Sequence, residues 1–312
     1  MKISVVICTW NRALSLARTL RSLTQADPPL HAEWEVIVVN NHCTDGTDLI
    51  LKQFCHLLPL KRVFEPTPGH SHARNCGVDA ASGDYFIWTD DDVTVGPSWL
   101  RLYEAAFERW PDAAIFGGPV IPRFEDPSPD WIKNENQVIF CAYAGIDLGT
   151  TAYMFNRTSI NLPFGANFAL RGLEQRQFRY DTRLGRRPGP SIIGFEETLV
   201  LKRILSEGKI GWWLPDTLVN HWIPSSRQTL HYLPAYYRGV GQVLTSSIVK
   251  SRSPRNGFTR TRLFLKAVLL EMHFQYHKQV SQPNKWLPAL KRASMTWGRA
   301  LGFDSIGGAE KR

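Results

Sequence analysis

Residues 85–93 read Tyr85-Phe86-Ile87-Trp88-Thr89-Asp90-Asp91-Asp92-Val93. An apolar run that ends in three adjacent carboxylates narrows the choice of fold. A strand can bury Phe86, Ile87 and Trp88, but no core takes Asp90, Asp91 and Asp92 without compensation. The run therefore ends at a sheet rim, in the crevice where open α/β sheets place ligands. Three clustered acids repel one another unless a cation lies among them, and oxygen donors suit Mg²⁺ or Mn²⁺. Taken alone, the triplet also fits a solvated acidic turn.

The rest of the N-terminal half supplies the sheet. Largely apolar runs at 3–8 and 34–39 read as strands, and Lys61-Arg62-Val63-Phe64 as a third. Leu14, Leu16, Ala17, Leu20 and Leu23 recur at helical spacing between the first two. A helix is also expected to follow the loop at 40–47 and run through Phe54, and residues 70–81 read as a loop running into a helix. Strands alternating with helices predict an α/β fold with a mostly parallel sheet and right-handed crossovers. Ala113–Phe116 and Phe164–Leu170 are further strand candidates. Residues 122–158 lose periodicity, and a long irregular segment of this kind inside a domain is usually functional. Gly194-Phe195-Glu196-Glu197 opens a helix, strands follow near 210–214 and 217–219, and His221 closes the second.

The chain is 312 residues long and 43% hydrophobic, enough for a sizeable core. Its five cysteines show no CxxC spacing, which argues against zinc and for a reducing compartment. Met1 leads straight into a strand-like run, so no signal peptide is expected. No apolar run approaches the roughly 18–20 residues of a membrane span. These features predict a cytoplasmic protein, or a peripheral one at the inner face of the plasma membrane.

Charge divides the chain. Residues 221–312 hold 15 Lys/Arg against 3 Asp/Glu, whereas residues 1–220 hold 22 against 25. The basic end reads as helical, with helices over 257–280 and 285–301. Phe264, Leu265, Val268, Leu269, Met272 and Phe274 are candidates for the apolar side of the first. Trp286, Leu290, Ala293, Trp297 and Leu301 share a stripe on the second. A basic amphipathic helix with Trp on its apolar side lies in a membrane interface or packs on the protein. Nucleic acid is not expected as a partner, because the tail lacks a recognisable reading module.

Several motifs together resemble family 2 glycosyltransferases. They are Ser4-Val5-Val6-Ile7-Cys8-Thr9-Trp10-Asn11-Arg12, Val38-Val39-Asn40-Asn41 with Thr44-Asp45-Gly46-Thr47, and Ala73-Arg74-Asn75 with Gly77. Gly83-Asp84-Tyr85 with Asp90-Asp91-Asp92, Gly165-Ala166-Asn167, Gly194-Phe195-Glu196-Glu197 with Arg203, and His221 with Arg227 complete the set. They run in family order from about residue 3 to 227. The resemblance implies a GT-A, Rossmann-like fold over residues 1–227, with a nucleotide-sugar half (1–118) and an acceptor half (119–227). Residues 228–312 form the basic helical extension. It also implies transfer of a sugar from a nucleotide-diphosphate donor, usually with inversion, to a glycan or lipid-linked acceptor in envelope or exopolysaccharide synthesis.

By the same resemblance, Asp92 ligates the metal, and Asp90 and Asp91 contact the donor's ribose or hold the metal's waters. His221 either reaches the metal or diphosphate or is structural. Thr9, Asn11, Arg12, Asn40, Asn41 and Arg74 bind the nucleotide. The pair Asn40-Asn41 departs from the family, which usually has an aspartate there, so the base is left unassigned. Counting back from Arg203, Glu197 matches the second acid of the family's pair, normally aspartate, and would be the catalytic base, with Glu196 as alternate. Gly165, Ala166 and Asn167 would let backbone approach a sugar. Trp131 either stacks on one or fills the core. Residues 257–301 would meet an anionic membrane.

Two other classes remain. A sugar nucleotidyltransferase calls for a Gly-rich basic loop after the first strand, where this chain has Thr9-Trp10-Asn11-Arg12. A non-catalytic carbohydrate-binding or scaffold protein fits the departures at 40–41 and 197 but not the retention of all three acids at 90–92.

Overall fold

The computed structural model describes residues 1–133, 137–187, 194–245 and 257–302. In chain order, β1 (Lys2–Thr9), α1 (Ala13–Thr24), β2 (Glu33–Asn40), α2 (Thr47–Phe54), β3 (Leu60–Phe64), α3 (His70–Ala80) and β4 (Tyr85–Asp90) alternate as expected. Next come β5 (Val93–Val95), α4 (Trp99–Arg109), β6 (Ile115–Gly117), β7 (Val120–Phe124), α5 (Asp130–Lys133), α6 (Gln137–Phe140) and β8 (Met154–Phe155). They are followed by β9 (Asn167–Arg171), α7 (Gly172–Gln177), α8 (Glu196–Ser206), β10 (Gly211–Trp213) and β11 (Val219–Ile223). The helices α9 (Tyr232–Val243), α10 (Gly257–Val280) and α11 (Pro283–Leu301) close the chain.

The chain forms two compact units. The first comprises Met1–Arg123, Ala144–Leu184 and Glu196–Ile223. Its main sheet has the order β3-β2-β1-β4-β9-β6-β10-β8, and a smaller sheet has the order β5-β11-β7. Strands β1, β2, β3 and β4 are parallel. Ile3, Val5, Val6 and Ile7 of β1 are buried without alternation, as a sheet covered on both faces requires. Strand β9 runs antiparallel to both β4 and β6. Its register pairs Asn167 with Thr89, which fixes residues 165–166 beside the acidic end of β4.

Three details differ from the sequence expectation. Helix α4 carries Trp99, Leu100, Tyr103 and Phe107, all buried, in a stretch without a sequence assignment. Residues 122–158 hold short elements, β7, α5, α6 and β8, and are not structureless. His221 sits in the middle of β11, opposite Val93, and does not close a strand.

The second unit comprises Phe124–Tyr143, Gly185–Phe195 and Pro224–Arg312. Here α11 packs on α9 and α10. Trp286, Leu290 and Ala293 of its apolar stripe are buried within this unit. The expected apolar side of α10 needs correction. Ala267 and Phe274 are buried, while Leu265, Leu269 and Met272 are exposed. This helix is apolar around most of its circumference, so hydrophobic spacing does not single out the packed face. No helix of the described residues is long and apolar enough to cross a membrane.

Candidate active site

The acids at the end of β4 are held by three elements. Thr9, at the end of β1, donates its hydroxyl to Asp91 at 2.7 Å. Arg12, at the start of α1, places one guanidinium nitrogen 2.9 Å from Asp91 and 2.9 Å from Asp92. His221 of β11 brings Nε2 to 3.1 Å from the other Asp92 oxygen. Asp91 and Asp92 are buried. Burial pushes the Asp91 carboxyl above its ordinary range against the pull of Arg12, and neighbouring Asp92 adds to the push. Burial also opposes the Arg12 charge, yet Asp91 and Asp92 hold its pKa above the ordinary value. Among the described residues, no three His, Cys, Asp or Glu side chains converge as a ready metal cage. The donor chemistry of Asp91, Asp92 and His221 nonetheless suits a cation such as Mn²⁺. In this arrangement the positive charge between the two acids is the Arg12 guanidinium.

The loops after β1 and β2 are tied together by asparagines. Asn11 adopts φ +51°, a left-handed conformation that asparagine tolerates. Its side-chain oxygen accepts the Thr44 amide at 2.7 Å. Asn40 donates to Asp48 and accepts the Cys43 amide. Asn41 donates to the carbonyls of Glu65 and Thr67 and accepts the Gly69 amide. An amide has two donor hydrogens, so the Asn41 donors are fully engaged in shaping the loop ahead of α3. Both residues order the rim of the crevice.

The second acidic pair lies at the start of α8. Glu196 is buried, with one oxygen 2.7 Å from His70 Nδ1. Its other oxygen has no hydrogen-bond partner among the described residues. Burial pushes Glu196 up, but the His70 hydrogen bond and the charges of His70 and Arg74 outweigh it and bring the carboxyl to about 2. Glu197 moves the opposite way: burial and the neighbouring Glu196 raise it, against the pull of Arg74. Two adjacent carboxyls thus hold different proton affinities, the pattern that separates acid–base roles in enzymes.

Arg74 of α3 sits beneath this pair. It is buried, and its guanidinium lies 5.2–5.5 Å from the ring centroids of Trp88, Phe168 and Tyr180. Burial works against its charge, while Tyr180, Glu196, Glu197 and Asp90 favour it and raise its pKa. Its Nη2 is 3.5 Å from the Gly165 carbonyl, and its buried Nη1 has no hydrogen-bond partner among the described residues. Position 165 must be glycine for this approach, because a Cβ there would stand 2.5 Å from Arg74 Nη2 and 3.5 Å from a Glu197 oxygen. Ala166 accepts the Thr89 hydroxyl through its carbonyl at 3.0 Å. Arg74, Gly165, Glu196 and Glu197 are thereby brought to the end of β4.

One expected sugar-side residue is engaged elsewhere. Asn167 is fully buried; it donates to the Pro119 and Thr217 carbonyls and accepts from Trp99 and Tyr103. With four protein partners it has no hydrogen-bonding capacity left for a saccharide. Trp131 belongs to the second unit, where its ring lies 6.3 Å from that of Trp286. His70 is the site residue that motif reading misses. Its signal is the i, i+4 spacing to Arg74 on α3, and the Arg74 Nε lies 3.4 Å from His70 Nε2.

Comparison with known proteins bears on this geometry. The family model described as "Glycosyl transferase family 2" matches residues 4–182. The succinoglycan biosynthesis protein ExoM of Rhizobium meliloti (strain 1021) is 28% identical over 75% of this chain and 71% of its own length. A glucosyl-dolichyl phosphate glucuronosyltransferase of Haloferax volcanii is 25% identical over 71% of this chain and 69% of its own. Among solved structures, S. aureus TarS 1–349 in complex with UDP-GlcNAc superposes with a TM-score of 0.53. It is 18% identical and covers 100% of this chain and 93% of its own. A Pyrobaculum calidifontis mannosyltransferase in complex with GDP-Man and Mn²⁺ gives a TM-score of 0.50 at 18% identity, over 98% of this chain and 75% of its own. These likenesses show the GT-A fold.

Proposed function

The chain belongs to glycosyl transferase family 2, and on that premise we propose that it inverts the anomeric centre of a sugar as it moves it from a nucleoside-diphosphate donor to an acceptor hydroxyl. The observation that carries this reading is the unequal pair at the start of α8. Glu196 is held ionised by His70 and Arg74, while the proton affinity of Glu197 is raised. A general base works best when its pKa approaches the operating pH, so Glu197 is the group that accepts the acceptor hydroxyl's proton. Glu196 contributes a fixed negative charge that raises its neighbour. Arg74, already charged and ringed by aromatics, favours the ionised form of both carboxyls through its charge.

On the donor side, Thr9 and Arg12 shape the acidic crevice, and Arg12 is near enough to its mouth, with 36% of its side chain exposed, to meet a diphosphate. Asp92 and His221, with Asp90 or Asp91, are the residues that would hold Mn²⁺ or Mg²⁺. When bound, such an ion supplies Lewis-acid stabilisation of the departing diphosphate. Asn11, Asn40 and Asn41 keep the nucleotide side of the crevice ordered.

The acceptor is a glycan or lipid-linked saccharide, and the product a cell-envelope or exported polysaccharide. The naming of ExoM for succinoglycan biosynthesis supports that reading. The basic C-terminal helices bring the chain to an anionic membrane where such acceptors are displayed. The decisive experiment pairs a Mn²⁺-dependent thermal-shift screen of nucleoside diphosphates with Glu197→Gln. The reading predicts that one nucleotide stabilises the protein and that the variant keeps its affinity while losing transfer. Full transfer by Glu197→Gln would place the base elsewhere.

A further inference from the structure

Helix α10 has an outward stripe as apolar as its packed side. Leu265, Leu269, Met272, Tyr276 and Val280 are 59%, 67%, 64%, 63% and 59% exposed. At about 100° per residue they fall within an arc of roughly 80°, and they extend along about 22 Å of helix. Ala267 and Phe274 are buried on another side, and the Phe274 ring faces Trp286 of α11 at 6.3 Å. Among the described residues, the packing of α10 on α11 therefore does not use the stripe. Single exposed apolar residues are ordinary, but a contiguous row marks an interaction surface.

Charge selects the occupant. The same helical geometry places Arg262, Lys266 and His273, all exposed, in a row along one edge of the stripe. Residues 257–302 contain eight Lys/Arg and one acid, Glu271. A second copy of this helix would set like charge against like charge. An anionic lipid surface accepts both features, taking apolar side chains at the acyl boundary and long basic side chains at the phosphates. We propose that α10 lies in the plane of an anionic membrane, with Leu265, Leu269, Met272, Tyr276 and Val280 entering the interface and Arg262 and Lys266 at the headgroups. This names the contacting face and rests on the reading of the C-terminal helices as membrane-directed. Of the two readings open for the tryptophan stripe of α11, it favours packing on the protein, since Trp286, Leu290 and Ala293 are buried.

The test uses the full chain and vesicles of phosphatidylcholine with or without phosphatidylglycerol. Wild type should float with the anionic vesicles, less at high salt and little with phosphatidylcholine alone. The variant Leu265→Ser/Leu269→Ser/Met272→Ser should lose partitioning by roughly a hundredfold, with its circular dichroism unchanged. In a second protein, Leu269→Trp should blue-shift its emission on anionic vesicles and be quenched by brominated lipid. Vesicle binding by the triple variant equal to wild type overturns the proposal. So does a concentration-dependent dimer that the triple substitution abolishes while vesicles leave Leu269→Trp unshifted. Donor turnover is followed separately, so wild type that turns over donor without binding anionic vesicles overturns this proposal and the membrane reading of the C-terminal helices while leaving the transferase reading standing.

Discussion

Replacing Arg12 with glutamine removes a positive charge that touches both Asp91 and Asp92, and its consequence can be worked from the contacts. At an effective dielectric near 20, a pair of unit charges about 4 Å apart interacts by about 4 kcal/mol. Arg12 keeps 36% of its side chain in solvent while the two acids keep 5% and 6%, so the gross figure must be reduced for screening. His221 also remains on Asp92. Exposed pairs are worth under about 1 kcal/mol and breaking a buried one costs about 3–5, which places this mixed case near 2 kcal/mol. For a chain of 312 residues that is a fall of about 3 °C in Tm. The same free energy bears on metal binding, because the guanidinium occupies the charge position between the carboxylates. Relieved of that competitor, the acids should bind Mn²⁺ up to about 30-fold more tightly. The assay is direct Mn²⁺ titration by electron paramagnetic resonance, beside melting curves with and without the ion. Arg12→Gln should melt lower than wild type without metal and recover most of the difference with it. An unchanged or weaker Mn²⁺ affinity in Arg12→Gln would refute the reasoning, whatever happens to turnover.

Other outcomes follow from neighbouring contacts. The acid limb of kcat/KM should lie above the ordinary carboxylate value of 4.5, because burial and Glu196 raise Glu197 and a protonated base cannot act; a limb at or below 4.5 would contradict the assignment. Glu196 carries the opposite sign: its folded pKa of about 2 lies below the ordinary value, so the stability it contributes is present above about 4.5 and is lost as pH falls toward 2. His70→Gln should weaken that acid-range dependence, measured as a flatter profile of Tm against pH. Gly165→Ala should impair turnover far more than folding, since its Cβ would stand 2.5 Å from an Arg74 nitrogen that three rings hold in place; parallel kinetics and melting curves separate the two. Asn167→Ala should cost about 3–5 kcal/mol in denaturant unfolding, because Trp99, Tyr103 and two carbonyls lose a buried partner together.

The sheet was readable where local pattern and tertiary role agree. β1, β2 and β4 are uninterrupted apolar runs that end in polar loops, and the structure uses each as a buried parallel strand whose loop lines the crevice. Helix α4 shows a different limit. Trp99, Tyr103 and Phe107 repeat at helical spacing, but Pro97 and a turn-like start mask the pattern. Partnerships across long separations were invisible. Arg12 and Asp92 are 80 residues apart, and His70 and Glu196 are 126 apart. Neither the engagement of Arg12 with the acids nor the contact of His70 with Glu196 follows from spacing, although the i, i+4 spacing does place His70 beside Arg74. Asn167 shows why a motif does not reveal a side chain's task. The same Gly165-Ala166-Asn167 that brings backbone to the site turns its amide into the protein, where four partners take it. On α10 and α11 both sequence stripes were apolar, and only mutual packing decides which one is covered.

The antiparallel strand β9 has a consequence for how such a chain can change. Its hydrogen bonds to β4 act as an address: wherever the chain has travelled after β6, the pairing of Asn167 with Thr89 returns residues 165–166 to the same spot. Glu196 likewise rejoins the first unit after an excursion through Gly185–Phe195. The two detours can lengthen, shorten or be exchanged between relatives while the fixed return points keep the chemistry in register. A library that varies residues 125–143, with everything else held, should therefore leave the pairing of Asn167 with Thr89 intact.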